Sequence, residues 1–401
     1  MERWLAMDRR GVGDAGPARG RHGAIWRRRS VLGGGLVAGL GALVGGRLLH
    51  RQGTAATPTA SMRAVTGEGV PPQAYLCLAD RDAPPNQHVM TTVGDVDHAR
   101  NGFDPHKILS DFDTGHLSAL ADGRRLREFA ITAIDQEIEI APGVFFPAWT
   151  YNGRVPGPTL RVTEGERIRI EFTNAGNMPH TIHFHGIHSA RVDGVPGAGE
   201  IFPGETFVYE FEARPFGCHL YHCHSLPLKR HIHKGLYGVF IIDPDPDRHP
   251  DQRDAARARL LGTPENAAWQ EFVMVMNGFD TNFDEENEFY AVNTIPHAYA
   301  KRPIQIDKRR PVRIYLVNLT EFDPVNSLHL HANFFDYYDH GTTLTPTLRM
   351  VDTIMQCQAQ RGILEFTFAE HEPGLYMFHA HQSEFVELGW MSFFEVVDAV
   401  A

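Results

Sequence analysis

The chain has 401 residues, 42% hydrophobic and 22% charged, an ordinary globular balance with room for two domains. A formal net charge of -11 argues against nucleic acid as a partner. Four cysteines are too few for a disulfide scaffold, whereas 23 histidines far exceed ordinary usage and raise the question of metal.

Near the N-terminus, Arg27-Arg28-Arg29-Ser30-Val31-Leu32 leads into an uncharged, glycine-rich apolar run over 33–46. Paired arginines before a weakly hydrophobic segment have the form of a twin-arginine export signal. Residues 1–60 are therefore read as signal and leader. The expected location is periplasmic or extracellular, with a membrane tether if the signal is retained. Residues 61–123 are rich in Pro, Asp, Gly and Ala without sustained periodicity, which predicts an extended arm with a short strand at Ala74–Leu78. His88, His98, His106 and His116 occur there singly and are read as surface or structural residues.

Regular patterning starts at Arg125. Residues 129–134 and 136–140 alternate in the manner of strands, Trp149 to Gly153 carries a turn signal, and Arg167–Asn174 alternates clearly. Further strands are expected at 206–212 and 238–243. The charged, proline-bearing stretch 246–264 reads as a linker. Beyond it, strands are expected at 270–276, 303–306, 312–318, 364–368, 374–378 and 393–397. Val312–Asn318 repeats the pattern of Arg167–Asn174, since each is an alternating strand ending in Asn with a histidine pair some residues on. The fold class is all-β: an internal duplication of two Greek-key β-sandwich domains, 124–245 and 265–401.

Histidine pairs with a one-residue gap occur five times; apart from His231/His233, four of them recur two per half: His183/His185, His222/His224, His329/His331 and His379/His381. On a strand, such a pair aims both imidazoles to one side. Each half contributes one pair near its middle and one near its end. No carboxylate recurs in register with them, so imidazole-only coordination of several copper ions is the expectation. Cys223 stands inside the second pair, pointing away from its two flanking histidines. A soft sulfur site on one face would thereby be wired through a few bonds to an imidazole site on the other. A trigonal copper centre of one Cys and two His needs two more ligands. His180 and His231 are assigned to it, with His233 the rival of His231 and the non-ligating Leu236 at the axial position. With Cys223 so used, any disulfide would lie among Cys77, Cys218 and Cys357.

Tyr151-Asn-Gly-x-x-Pro-Gly-Pro, His180-x-x-His183-x-His185-Gly, His222-Cys-His224 and His379-x-His381 resemble the multicopper oxidase family, most closely its two-domain, small laccase-like branch. The resemblance covers residues 125–398. It implies two cupredoxin-like domains and about four coppers per chain. His183 and His329 would bind the type-2 copper, and His185, His222, His224, His331, His379 and His381 the type-3 pair. Cys223, His180 and His231 would form type 1. In the second half Ala380 stands in the cysteine's position and Asn326 in that of the type-1 histidine, so no second blue centre is expected. The trinuclear cluster would lie between subunits of a homotrimer. The implied reaction oxidises a reducing substrate or redox partner one electron at a time and reduces dioxygen to water, with Asp193 or Glu384 delivering protons. Copper nitrite reductase is the sharpest alternative. It would need an aspartate between His180 and His185, where this chain has His183. A non-enzymatic copper electron carrier is a further alternative, which the additional histidines disfavour.

Overall fold

The structure is a computed structural model that describes residues 95–399. The expected export signal, the strand at Ala74–Leu78, His88 and Cys77 lie outside the described residues.

Alternation builds the first half. In Arg167–Asn174, Ile168, Ile170 and Phe172 are fully buried and Arg167, Arg169 and Glu171 face outward. Each apolar side chain so removed from water stabilises the sheet by roughly 1.5–3 kcal/mol. This strand pairs in parallel with Arg125–Ala141 and antiparallel with Thr206–Glu212. Arg125–Ala141 is one continuous strand of 17 residues and turns back into Val144–Tyr151. The expected turn is thus confined to Asn152 and Gly153, both at positive φ, and Trp149 belongs to a strand. A second sheet covers the first, in the order Phe112–Asp113, Thr159–Thr163, Tyr237–Asp243, Gly217–His222 and His183–Phe184.

The second half repeats this plan. Gln270–Phe279 runs parallel to Val312–Asn318, as Arg125–Ala141 does to Arg167–Asn174. Ile304–Asp307 runs parallel to Met391–Val397, as Thr159–Thr163 does to Tyr237–Asp243. Val325–Leu330 lies beside Gly374–His379, as His183–Phe184 lies beside Gly217–His222. Both halves are therefore cupredoxin-like sandwiches of one topology.

The described part of the predicted arm carries local structure. Asp97 and Asp104 cap the short helices His98–Asn101 and Pro105–Ile108, and the strand His116–Ala119 pairs onto Arg125–Ala141. The stretch read as a linker contains the helix Arg253–Arg259, whose last residue is buried. Beneath it a charge network joins the halves. Arg161 pairs with Asp243 at 2.9 Å and Glu271 at 2.7 Å, and Arg313 pairs with Glu271 at 2.8 Å and Glu365 at 2.7 Å. Both guanidiniums are 1% exposed, a burial that only multiple satisfied partners make tolerable. One apolar core likewise runs from Phe146, Tyr237 and Val239 of the first half to Val275 and Leu316 of the second.

Candidate metal centres

The strand Gly217–His222 ends at His222, and Cys223 and His224 continue past it. The rings of His222 and His224 lie 5.7 Å apart and both pack on His183. Cys223 points to the opposite side. Its Sγ lies 3.2 Å from His231 Nδ1 and 3.9 Å from His180 Nδ1, and those two nitrogens are 3.3 Å apart. A point equidistant from the three atoms sits about 2.0 Å from each, a metal–imidazole distance and only slightly short for a metal–thiolate bond. All three side chains are fully buried. Burial, reinforced by the neighbouring His231, holds His180 down at about 3, and burial holds His231 at about 4. Both imidazoles are therefore neutral and offer lone pairs near neutral pH. Burial raises the Cys223 thiol, while the Thr181 amide at 3.4 Å and hydroxyl at 3.8 Å act in the opposite direction and favour the thiolate. The donor set fits copper.

Helical geometry separates His231 from His233. Both lie on Leu228–His233, and positions two apart on a helix point roughly 200° apart. His233 turns away, accepts the Asp280 amide proton on Nε2 at 3.0 Å and packs on Phe146, Phe283 and Phe322. Leu236 is fully buried in the same core cluster as Cys223. Its backbone accepts from Cys223 at 2.9 Å and donates to His231 at 3.2 Å.

The other histidines gather into two tetrads of one design. His183 is the cross-strand partner of His222, and His329 of His379. His185 Nε2 lies 3.3 Å from His222 Nε2, and His331 Nε2 lies 2.8 Å from His379 Nε2. His224 and His381 complete the groups against His183 and His329, with ring centroids 5.5 and 5.3 Å apart. Backbone carbonyls orient the rings. His183 Nδ1 donates to Asp193 O at 2.6 Å and His329 Nδ1 to Asp352 O at 3.0 Å, and the same holds for His222 with Cys223 O and His379 with Ala380 O. Each such bond places the proton on Nδ1 and leaves the Nε2 lone pair for a metal. Among the described residues, no ring contact joins one tetrad to the other.

The acids differ in placement. The Asp193 carboxylate lies 3.4 Å from His183 Nδ1, at a surface cleft of about 440 Å³ that His185 and His188 also line. Glu384 is exposed on Ser383–Glu387 and joins none of the metal-capable groups among the described residues.

Several supporting residues escaped the sequence reading. Thr181 Oγ1 accepts from His224 N, and Ser327 Oγ from His381 N, both at 2.7 Å. Their signal was a hydroxyl residue two positions before the first histidine pair of each half. Asp352, counterpart of Asp193, was legible from the repeated Val-Asp at 192–193 and 351–352. Arg361 had no local signal. It reaches from the second half to within 3.4 Å of His185 and His219.

In the second half the position that corresponds to the Cys223 site is filled. Ala380 N donates to Trp390 O and Trp390 N to Phe385 O, repeating the bonds that link Cys223, Leu236 and His231. Trp390 thus corresponds to Leu236, and Phe385 to His231. The Trp390 indole, fully buried, donates to Asn326 Oδ1 at 3.1 Å. Ala380 replaces the cysteine, Phe385 and Asn326 replace the two histidines, and the Asn326 oxygen is taken by the indole, leaving no donor set for a soft metal.

Multicopper oxidase family models match residues 134–247 and 270–400. A solved multicopper oxidase is 53% identical, with a TM-score of 0.69, over 76% of this chain and 100% of its own. The blue copper oxidase from Nitrosomonas europaea is 25% identical with a TM-score of 0.55, over 68% of this chain and 86% of its own. A copper-containing nitrite reductase of Neisseria meningitidis is 34% identical over 115 residues, 28% of this chain. This chain covers 29% of that curated relative's length. The chain belongs to the multicopper oxidase family, a class of copper oxidoreductases, and carries its fold as two cupredoxin domains.

Proposed function

We propose that the protein is a laccase-like oxidase, which couples one-electron oxidation of a reducing substrate to four-electron reduction of dioxygen to water. The observation that carries this reading is the second complete histidine tetrad, repeated bond for bond from the first. Bound copper would supply one-electron redox chemistry at the Cys223 site and multi-electron reduction of dioxygen at the histidine tetrads. Cys223, His180 and His231 would hold the type-1 ion, His183 and His329 the type-2 ion, and the remaining six paired histidines the type-3 pair.

The residues divide the remaining work. The backbone from Cys223 to His222 and His224 links the sulfur site to the first tetrad. The carbonyls of Asp193 and Asp352 fix the tautomers of His183 and His329. The Asp193 carboxylate stands at the cleft mouth, where it can exchange protons with water. Glu384 remains a second candidate for that role. Separation of the tetrads within one chain, with His381 exposed, supports clusters completed between copies in a homotrimer. The twin-arginine pattern at 27–32 supports an exported protein.

Similarity to nitrite reductases favours a second reading, in which nitrite is the acceptor. Against it, His183 occupies the position that reading assigns to an aspartate. Copper per chain on the loaded protein separates them. About four supports the oxidase, about two the nitrite reductase, and about one a carrier. Dioxygen uptake without nitrite, driven by a phenol or another reductant, is the confirming assay.

A further inference from the structure

We propose that electrons reach the Cys223–His180–His231 site through the indole of Trp149, which is the contact against which the donor packs. This rests on the oxidase reading above, which supplies the acceptor, cupric copper at that site.

An outer donor needs a surface in contact with the site, and the ligands themselves offer none. His180, Cys223 and His231 each have 0% of their surface exposed, and Nε2 of both imidazoles is buried. Trp149 is only half-buried. Its ring packs on both imidazoles, with centroids 4.8 Å from His231 and 5.4 Å from His180. Among the described residues it is the one further aromatic ring in contact with both. The backbone holds it there: Trp149 N donates to Lys234 O at 2.8 Å, three residues beyond His231.

The surroundings of Trp149 define how it acts. Lys234 Nζ lies 5.2 Å from the Trp149 ring centroid and 5.4 Å from that of Phe283. An ammonium beside the indole opposes removal of an electron from it, so Trp149 serves as a contact and not as a site of oxidation. Phe283, 46% exposed, shares the same ammonium and extends the aromatic surface outward. A planar aromatic donor can pack offset or edge-on against the two rings. In each event one electron leaves the donor and reduces cupric to cuprous copper. A phenolic donor releases its hydroxyl proton to water, and Trp149 ends unchanged.

The test is anaerobic stopped-flow reduction of the copper-loaded full chain by 2,6-dimethoxyphenol, followed through the blue thiolate absorption. Trp149→Leu should bleach about tenfold more slowly than the parent and Trp149→Phe within about threefold, both at parental copper content and blue absorption. Bleaching of the Leu variant at the parental rate overturns the proposal. Should that variant lose copper, the metal-free parent and Trp149→Phe are compared by quenching of tryptophan emission with the same phenol. Loss of the saturable component in the variant supports the proposal, and unchanged quenching overturns it. A copper-loaded parent without blue absorption defeats the oxidase reading itself, an outcome distinct from either.

Discussion

His231 and His233 stand two residues apart yet face different ways: one faces Cys223, the other the Asp280 amide. His231→Ala should abolish the blue absorption and remove one copper. His233→Ala should keep the blue absorption and cost about 1–3 kcal/mol, since it leaves a buried donor unpaired. Visible spectra and thermal melts of the two variants check this, and a colourless His233→Ala would reverse the assignment. Buried imidazoles also set a pH dependence. Burial holds His219, His233 and His297 at about 4 in the folded chain, below the ordinary value of about 6.5. Between those values the unfolded chain binds more protons. Stability of the metal-free protein should therefore fall as pH drops from about 6.5 to about 4, by up to about 1.4 kcal/mol per pH unit for each group. Melting at pH 7 and pH 5 reads this directly, and equal midpoints would contradict it.

At the scale of elements, duplication explains both what recurs and what does not. The hydroxyls of Thr181 and Ser327, the carbonyls of Asp193 and Asp352 and the cross-strand histidine pairs recur because both tetrads need the same ring orientations. The sulfur site does not recur, and the loss is more than two ligands. Phe385 and Trp390 fill the positions of His231 and Leu236, and the indole proton is already committed to Asn326. Ala380→Cys combined with Asn326→His should therefore create no second blue centre, because the new side chains would meet a closed aromatic core. Copper per chain and the intensity of blue absorption should match the parent; a doubled blue band would show that the rings yield.

For the whole molecule, the separation of the tetrads predicts shared clusters. Light scattering should give a mass about three times that of the chain. A sharper check co-expresses His185→Ala with His331→Ala. If clusters form between the first half of one copy and the second half of another, mixed oligomers contain intact sites and recover oxygen uptake that neither variant shows alone. Recovery is absent if each cluster is built within one chain. The charge network between the halves gives a stability prediction at this scale. Glu271 accepts from Arg161, Arg313 and Tyr315 while buried, so Glu271→Ala should cost about 3–5 kcal/mol, read as a lowered urea midpoint.

Read by itself, the sequence determined the all-β duplication, the four histidine pairs and Cys223, because a period of two along a strand dictates which side chains share a face. It also marked Ala380 and Asn326 as replacements, since a missing ligand is visible as a letter. Only the tertiary structure decided His231 over His233, because a short helix there breaks the strand period. Val312–Asn318 reads as half-exposed from its alternation, yet it is buried on both faces, because Arg313 pairs with Glu271 and Glu365 of its own half while Arg161 of the first half covers Tyr315. Trp149, Arg361 and Trp390 likewise acquire their roles from segments distant in the chain, through contacts that no local pattern encodes.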